Sequence, residues 1–232
     1  MLIIVTGASK GIGKAVAEKF ASEGHDLLLC SRGAKALYDT VEEIQRKYPG
    51  VAIRARIADL GIPGEAIAFG EWCLELGIPD VLVNNAGFFL PGAIHAESAG
   101  TLDTMLQANL YSAYHVTRAV LPAMMKAGRG HIFTLCSIAS HTAYPNGGSY
   151  GISKFALLGF TKNLREELKP YHIKVTAVSP GATYSASWEG FEVDRSRMME
   201  TADIAALIYT AAHLSPAANV EDIIIRPQPG DL

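Results

Sequence analysis

The chain has 232 residues, a length that parallel α/β folds commonly use for one domain; 19% of them are charged and the formal net charge is −3. That balance lacks the basic excess with which proteins hold phosphate backbones or anionic lipid, so neither nucleic acid nor a membrane surface is expected as a partner. Cys30, Cys73 and Cys136 are odd in number and far apart, with no His or Cys at metal-ligand spacing, so no disulfide and no metal site are expected.

In chain order, the apolar opening at 1–5 is too short to span a bilayer and lacks the regions of a signal peptide, which points to a cytoplasmic protein. Short apolar runs then alternate with longer stretches of helical period. Strands are expected at 2–6, 26–31, 52–57, 81–83, 131–136, 174–178 and 222–226, and helices at 12–23, 34–48, 65–76, 102–126, 150–169 and 202–213. This rhythm predicts βαβ units and a doubly wound α/β fold with helices on both faces of a parallel sheet. No repeat, low-complexity tract or linker interrupts it, so 1–232 reads as a single domain. The least patterned stretch, 181–199, follows a strand and is expected to be a mobile lid over substrate.

Directly after the first strand comes Thr6-Gly7-Ala8-Ser9-Lys10-Gly11-Ile12-Gly13, opening a helix. Glycines there let the backbone turn tightly and approach a pyrophosphate, which the free N–H groups and positive end of the helix stabilise. At the end of the second strand an acidic residue would accept hydrogen bonds from a ribose 2′-hydroxyl, but the residues are Cys30-Ser31-Arg32. Arg32 can fork onto a 2′-phosphate with Ser31 and Lys10 nearby, so NADP(H) is the expected cofactor.

Tyr150 and Lys154 are spaced i, i+4 on one face of a predicted helix. A phenol of ordinary pKa near 10 is a poor acid–base group at neutral pH, and a neighbouring ammonium favours its phenolate. Ser137 follows the fifth strand, at the carboxyl end where such sheets bind ligands, and can hydrogen-bond a substrate oxygen.

Thr6-Gly7-x-x-x-Gly11-x-Gly13, Asp59-Leu60, Asn84-Asn85-Ala86-Gly87, Asn109, Ser137, Tyr150-x-x-x-Lys154 and Pro180-Gly181 with Thr183 occur in the order of the short-chain dehydrogenase/reductase family, which the chain resembles over nearly its whole length. The resemblance implies a Rossmann-type, seven-stranded parallel sheet in the order 3-2-1-4-5-6-7. It implies Tyr150 as general acid/base, Lys154 binding the nicotinamide ribose and lowering the tyrosine pKa, Ser137 polarising the carbonyl, and Asn109 holding a proton-relay water. It further implies that Asp59, with Leu60 beside it, contacts the adenine, that Asn85, Ala86 and Gly87 border the adenosine ribose, and that Thr183, after Pro180 and Gly181, contacts the carboxamide. A homotetramer or homodimer joined through the helices at 102–126 and 150–169 is implied as well.

The start of the lid, with Trp188 placed to lie over a flat heterocycle, and the ending Ile223 to Leu232, with Asp231, are similar to those of bacterial sepiapterin-reductase-like members. The expected activity is therefore NADPH-dependent reduction of a ketone, with sepiapterin or a related diketone as substrate. The alternative is a 3-oxoacyl-[acyl-carrier-protein] reductase, for whose acidic carrier Arg129, Arg165, Lys169, Arg195 and Arg197 are the available cations. A non-catalytic NADPH sensor is the third reading, and the intact Asn109, Ser137, Tyr150 and Lys154 set argues against it.

Overall fold

The computed structural model describes residues 1–184 and 194–230. Strand β1 (Leu2–Thr6) leads into helix α1 (Gly11–Ser22), β2 (Asp26–Ser31) into α2 (Ala34–Lys47), and β3 (Ile53–Ile57) into α3 (Pro63–Leu76). After β4 (Val81–Asn84) come α4 (Thr101–Leu106), a π-helical turn at Gln107–Tyr111, and α5 (Ser112–Ala127). Then follow β5 (Gly130–Leu135), α6 (Gly148–Leu168), β6 (Ile173–Pro180), α7 (Thr201–Ala212) and β7 (Asp222–Ile225). The strands form one sheet in the order β3-β2-β1-β4-β5-β6-β7, and every neighbouring pair is parallel.

Alternation along the central strands sends successive side chains to opposite faces. Ile3, Val5, Leu27 and Leu29 meet Val16, Phe20, Leu37, Ile204 and Ile208 from α1, α2 and α7. Ile4, Leu28, Leu82, Ile132 and Val175 meet Phe69, Val116, Val120, Leu164 and Leu168 from α3, α5 and α6. Both faces are thus dry, which is why these strands read as continuous apolar runs rather than as alternating ones. Each fully buried Leu, Ile or Phe contributes about 1.5–3 kcal/mol of transfer free energy.

The expected helix at 102–126 is broken: a π-helical turn widens the backbone at Gln107–Tyr111 and turns Asn109 fully inward. Helix α3 starts earlier than expected, at Pro63, because proline at the first helical position forfeits only an N–H that has no partner there. Helix α6 also starts earlier, at Gly148, which places Tyr150 in its first turn. Of the 181–199 stretch, Thr183 bridges to Met199 and a 3₁₀ turn spans Arg195–Arg197, while 185–193, with Trp188, and 231–232, with Asp231, lie outside the described residues. No described helix is long and apolar enough to cross a membrane.

The order of the sheet reverses between β1 and β4. Connections leave these adjacent strands toward opposite faces, which opens a crevice at their carboxyl ends.

Candidate active site

A cavity of about 810 Å³ lies over these strand ends. Gly7, Ser9, Lys10, Gly11 and Ile12 line it from the turn after β1; Gly11 has φ +59°, which disfavours any side chain there. The first turn of α1 carries no acidic residue, so nothing opposes an anion at the positive end of the helix. Gly13 does not line the cavity. A Cβ there would run into the Asn85 amide and the Gly7 carbonyl, so its part is to let α1 close against the loop after β4. Asn85 donates from Nδ2 to the carbonyls of Thr6 (2.9 Å) and Gly7 (3.1 Å), while the Thr6 hydroxyl accepts from the N–H groups of Asn85 and Ala86 (both 2.9 Å). The glycine turn is therefore held by the same Asn85 to Gly87 loop that forms another wall of the cavity.

Ser31, Arg32, Asp59 and Leu60 also line the cavity. The Arg32 guanidinium is largely exposed, 5.9 Å from the Phe88 ring centroid and 4.0 Å from Asp59 Oδ2. Asp59 Oδ1 accepts from the Gly61 N–H at 3.0 Å, which fixes the carboxylate beside the guanidinium.

At the carboxyl end of β5, Ser137 caps the 3₁₀ turn Ile138–Ser140, its hydroxyl accepting from the Ala139 N–H at 3.1 Å. Tyr150 is half-buried, its ring edge-on to Phe89 with centroids 4.8 Å apart at 81°. Lys154 is buried, donates to the Leu135 carbonyl at 2.7 Å, and lies 5.8 Å from the Tyr150 ring centroid. Burial pushes the Tyr150 phenol up to about 12, with hydrogen bonding to Ser137 pulling weakly the other way. Burial pushes the Lys154 ammonium down to about 8. In this geometry burial is the largest influence on the phenol, and the Lys154 ammonium points at a carbonyl.

Asn109 does not reach the cavity surface. Its Nδ2 donates to the Phe88 carbonyl (3.1 Å) and the Ser153 hydroxyl (2.9 Å), and its Oδ1 accepts from the Phe88 N–H (2.9 Å), so it ties the Phe88 loop to α6. Pro180, Gly181 and Thr183 line the cavity from the end of β6, where Gly181 N–H donates to the Ile225 carbonyl at 2.8 Å and the Thr183 hydroxyl donates to the Gly181 carbonyl at 3.0 Å. Lining residues not singled out from sequence include Phe88, Phe89, Thr142, Tyr144 and Arg226. Adjacency to the Asn85 to Gly87 motif was the one available signal for the two phenylalanines. Tyr144 and Thr142 come from the irregular stretch before α6, which has no period to read.

The family model described as "short chain dehydrogenase" matches residues 1–195. A sepiapterin reductase from Chlorobaculum tepidum is 31% identical over 241 residues, covering 100% of this chain and 98% of the relative. The crystal structure of a metagenomic short-chain oxidoreductase in complex with NADP is 31% identical, with a TM-score of 0.86 over 98% of this chain and 97% of that one. A single-residue variant of actinorhodin polyketide ketoreductase with NADPH is 26% identical, with a TM-score of 0.89 over 100% and 97%.

Proposed function

The chain belongs to the short-chain dehydrogenase/reductase family, and from that premise we propose that it reduces a ketone with NADPH, Tyr150 giving the proton. One observation carries this reading: Ser137, Tyr150 and Lys154 share a cavity with the glycine turn and Arg32. Between the ends of β2 and β5 lie three strand spacings, about 15 Å, a span that suits an extended dinucleotide. The donor set also fits. Backbone N–H groups of the glycine turn suit the pyrophosphate, and Arg32 with Ser31 and Lys10 suits a 2′-phosphate. The protein is an NADP-dependent oxidoreductase, in line with the NADP and NADPH bound in two of its structural relatives.

Bound NADPH supplies the hydride for the carbonyl carbon. The Ser137 hydroxyl donates a hydrogen bond to the substrate oxygen, holding it against the Tyr150 phenol. Tyr150, protonated at neutral pH with its pKa near 12, donates its proton to that oxygen as charge develops there. Lys154, mostly an ammonium at neutral pH, holds the nicotinamide ribose and compensates the phenolate that is left. Asn109, whose side chain donates to the Phe88 carbonyl and the Ser153 hydroxyl, is read as the residue that holds a proton-relay water. Asp59 beside the adenine and Thr183 at the carboxamide complete the assignment.

Sepiapterin or a related diketone is the substrate we favour, supported by the full-length likeness to the Chlorobaculum enzyme and by the aromatic walls Phe89 and Tyr144. Four of the five cations named for the carrier-protein alternative have acidic neighbours, which supports it less. Arg165 is buried and faces Glu221 and Asp222, Arg129 pairs with Asp80, Lys169 with Glu166, and Arg195 with Glu200. We further read 1–232 as one NADP(H)-binding domain in a cytoplasmic homo-oligomer. Exposed Tyr111, Tyr114, Ile152 and Phe155 on α5, α6 and the turn before α5 offer an apolar contact face, and buried, unpaired cysteines suit a reducing compartment.

Following NADPH absorbance with sepiapterin, a diketone and a 3-oxoacyl thioester tests the reading. Turnover of sepiapterin or the diketone above the thioester is expected. Preference for the thioester would overturn the substrate assignment, and no turnover with any ketone would leave the sensor reading.

A further inference from the structure

The α6 helix brings Tyr150 to the cavity, yet the residue before the helix, Gly147, provides no side-chain cap. The first N–H groups of a helix have no partner within it and need one from elsewhere. Here the partner comes from far along the chain. Glu97 Oε1 accepts from the Ser149 backbone N–H at 2.8 Å, and the Ser149 hydroxyl donates to Glu97 Oε2. Ser149 is buried and immediately precedes Tyr150.

The clasp is built on both sides. Gly92 N–H donates to the Asn146 carbonyl at 3.0 Å, so the loop after β4 grips the approach to α6 at a second point. A Cβ at Gly148 would collide with Glu97 Oε1 and the Gly92 carbonyl, which shows how closely the carboxylate lies on the helix start. The contacts with Ser149 hold the carboxyl of Glu97 below the usual carboxylate range, so it stays an anion at the positive helix end. The same loop carries Phe89, whose ring meets Tyr150 edge-on.

We propose that Glu97 is a positioning residue for Tyr150: by capping α6 across the fold it sets the height and direction of the phenol relative to Ser137 and the substrate oxygen. This rests on Tyr150 being the proton donor. Misplacement of a reacting group by an ångström costs on the order of a hundredfold in rate. A partly relaxed helix start is therefore expected to cost about tenfold in kcat, with NADPH affinity unchanged.

The test compares Glu97→Ala, Glu97→Gln and Glu97→Asp, together with Tyr150→Phe and the Glu97→Ala/Tyr150→Phe pair. The readouts are kcat and KM with NADPH and the most rapidly reduced ketone of the panel above, and NADPH Kd from fluorescence. Glu97→Ala is expected to lose about tenfold in kcat with Kd within about twofold. Glu97→Gln, which keeps an acceptor for the Ser149 N–H, is expected within about threefold of the parent. Glu97→Asp keeps the charge but withdraws the oxygens, and is expected to lose rate like Glu97→Ala; it also serves as the working variant if the alanine protein does not fold. In the Tyr150→Phe background, Glu97→Ala is expected to remove little more, because residues that act through one group are not additive. Parent-like kcat in both Glu97→Ala and Glu97→Asp, or an equal loss with and without the Tyr150 hydroxyl, would overturn the proposal. Normal turnover by Tyr150→Phe alone would instead overturn the proton-donor reading, and the proposal with it.

Discussion

The Lys154 ammonium lies one helical turn from Tyr150, 5.8 Å from its ring centroid, and donates to the Leu135 carbonyl rather than to the phenol. Burial brings its pKa down to about 8 while the phenol rises to about 12, so the two groups titrate far apart. The cation is lost first as pH rises. We expect kcat/KM for NADPH in ketone reduction to fall above about pH 8, because kcat/KM follows the free enzyme's groups. A pH–rate profile flat to pH 10 would contradict this.

Arg32 stands at the end of β2 with Asp59 Oδ2 4.0 Å away, so a 2′-phosphate would compete with that carboxylate for the guanidinium. Hydrogen bonds to charged groups contribute about 1.5–3 kcal/mol each, and Arg32 can make two. Arg32→Ala is expected to lower kcat/KM for NADPH on the order of a hundredfold and to leave that for NADH within a few-fold. Equal losses with both cofactors would show that Arg32 does not read the phosphate.

His131 is buried in β5, its Nε2 2.7 Å from the Thr176 hydroxyl and its ring stacked on Phe133 at 3.9 Å. Burial, aided by Lys174, pushes its pKa down to about 3. The unfolded chain, with an ordinary histidine near 6.5, then binds more protons below that value, so stability falls as pH drops from about 6.5 toward about 3. Between pH 7 and pH 5 this group alone should remove about 2 kcal/mol. Urea unfolding of the parent and of His131→Gln at the two pH values checks it: the variant should show a pH slope smaller by that amount, and parallel slopes would refute the assignment.

The central strands and the glycine turn were legible because they obey local rules: short continuous apolar runs where both sheet faces are buried, and a glycine where φ is positive at Gly11. Tyr150 and Lys154 were legible because helix geometry brings i and i+4 together. What local pattern cannot carry is contact between distant segments. Nothing in the apolar period of 102–126 marks the π turn at Gln107–Tyr111, within which Asn109 bonds to the distant Phe88 and Ser153. Gly13 reads as part of a phosphate cradle, yet it makes room for Asn85, 72 positions further along the chain by their numbers. Neither the Glu97 cap on α6 nor the pairing of Arg165 with Glu221 and Asp222 could be read before the fold joined those segments.

The central claim is that the Tyr150 hydroxyl delivers the proton, and Tyr150→Phe tests it most directly because the ring and its contact with Phe89 remain. With NADPH and the best ketone substrate, kcat should fall on the order of 10²- to 10⁴-fold while NADPH Kd stays within about twofold. Near-parental turnover by the phenylalanine variant would contradict the account.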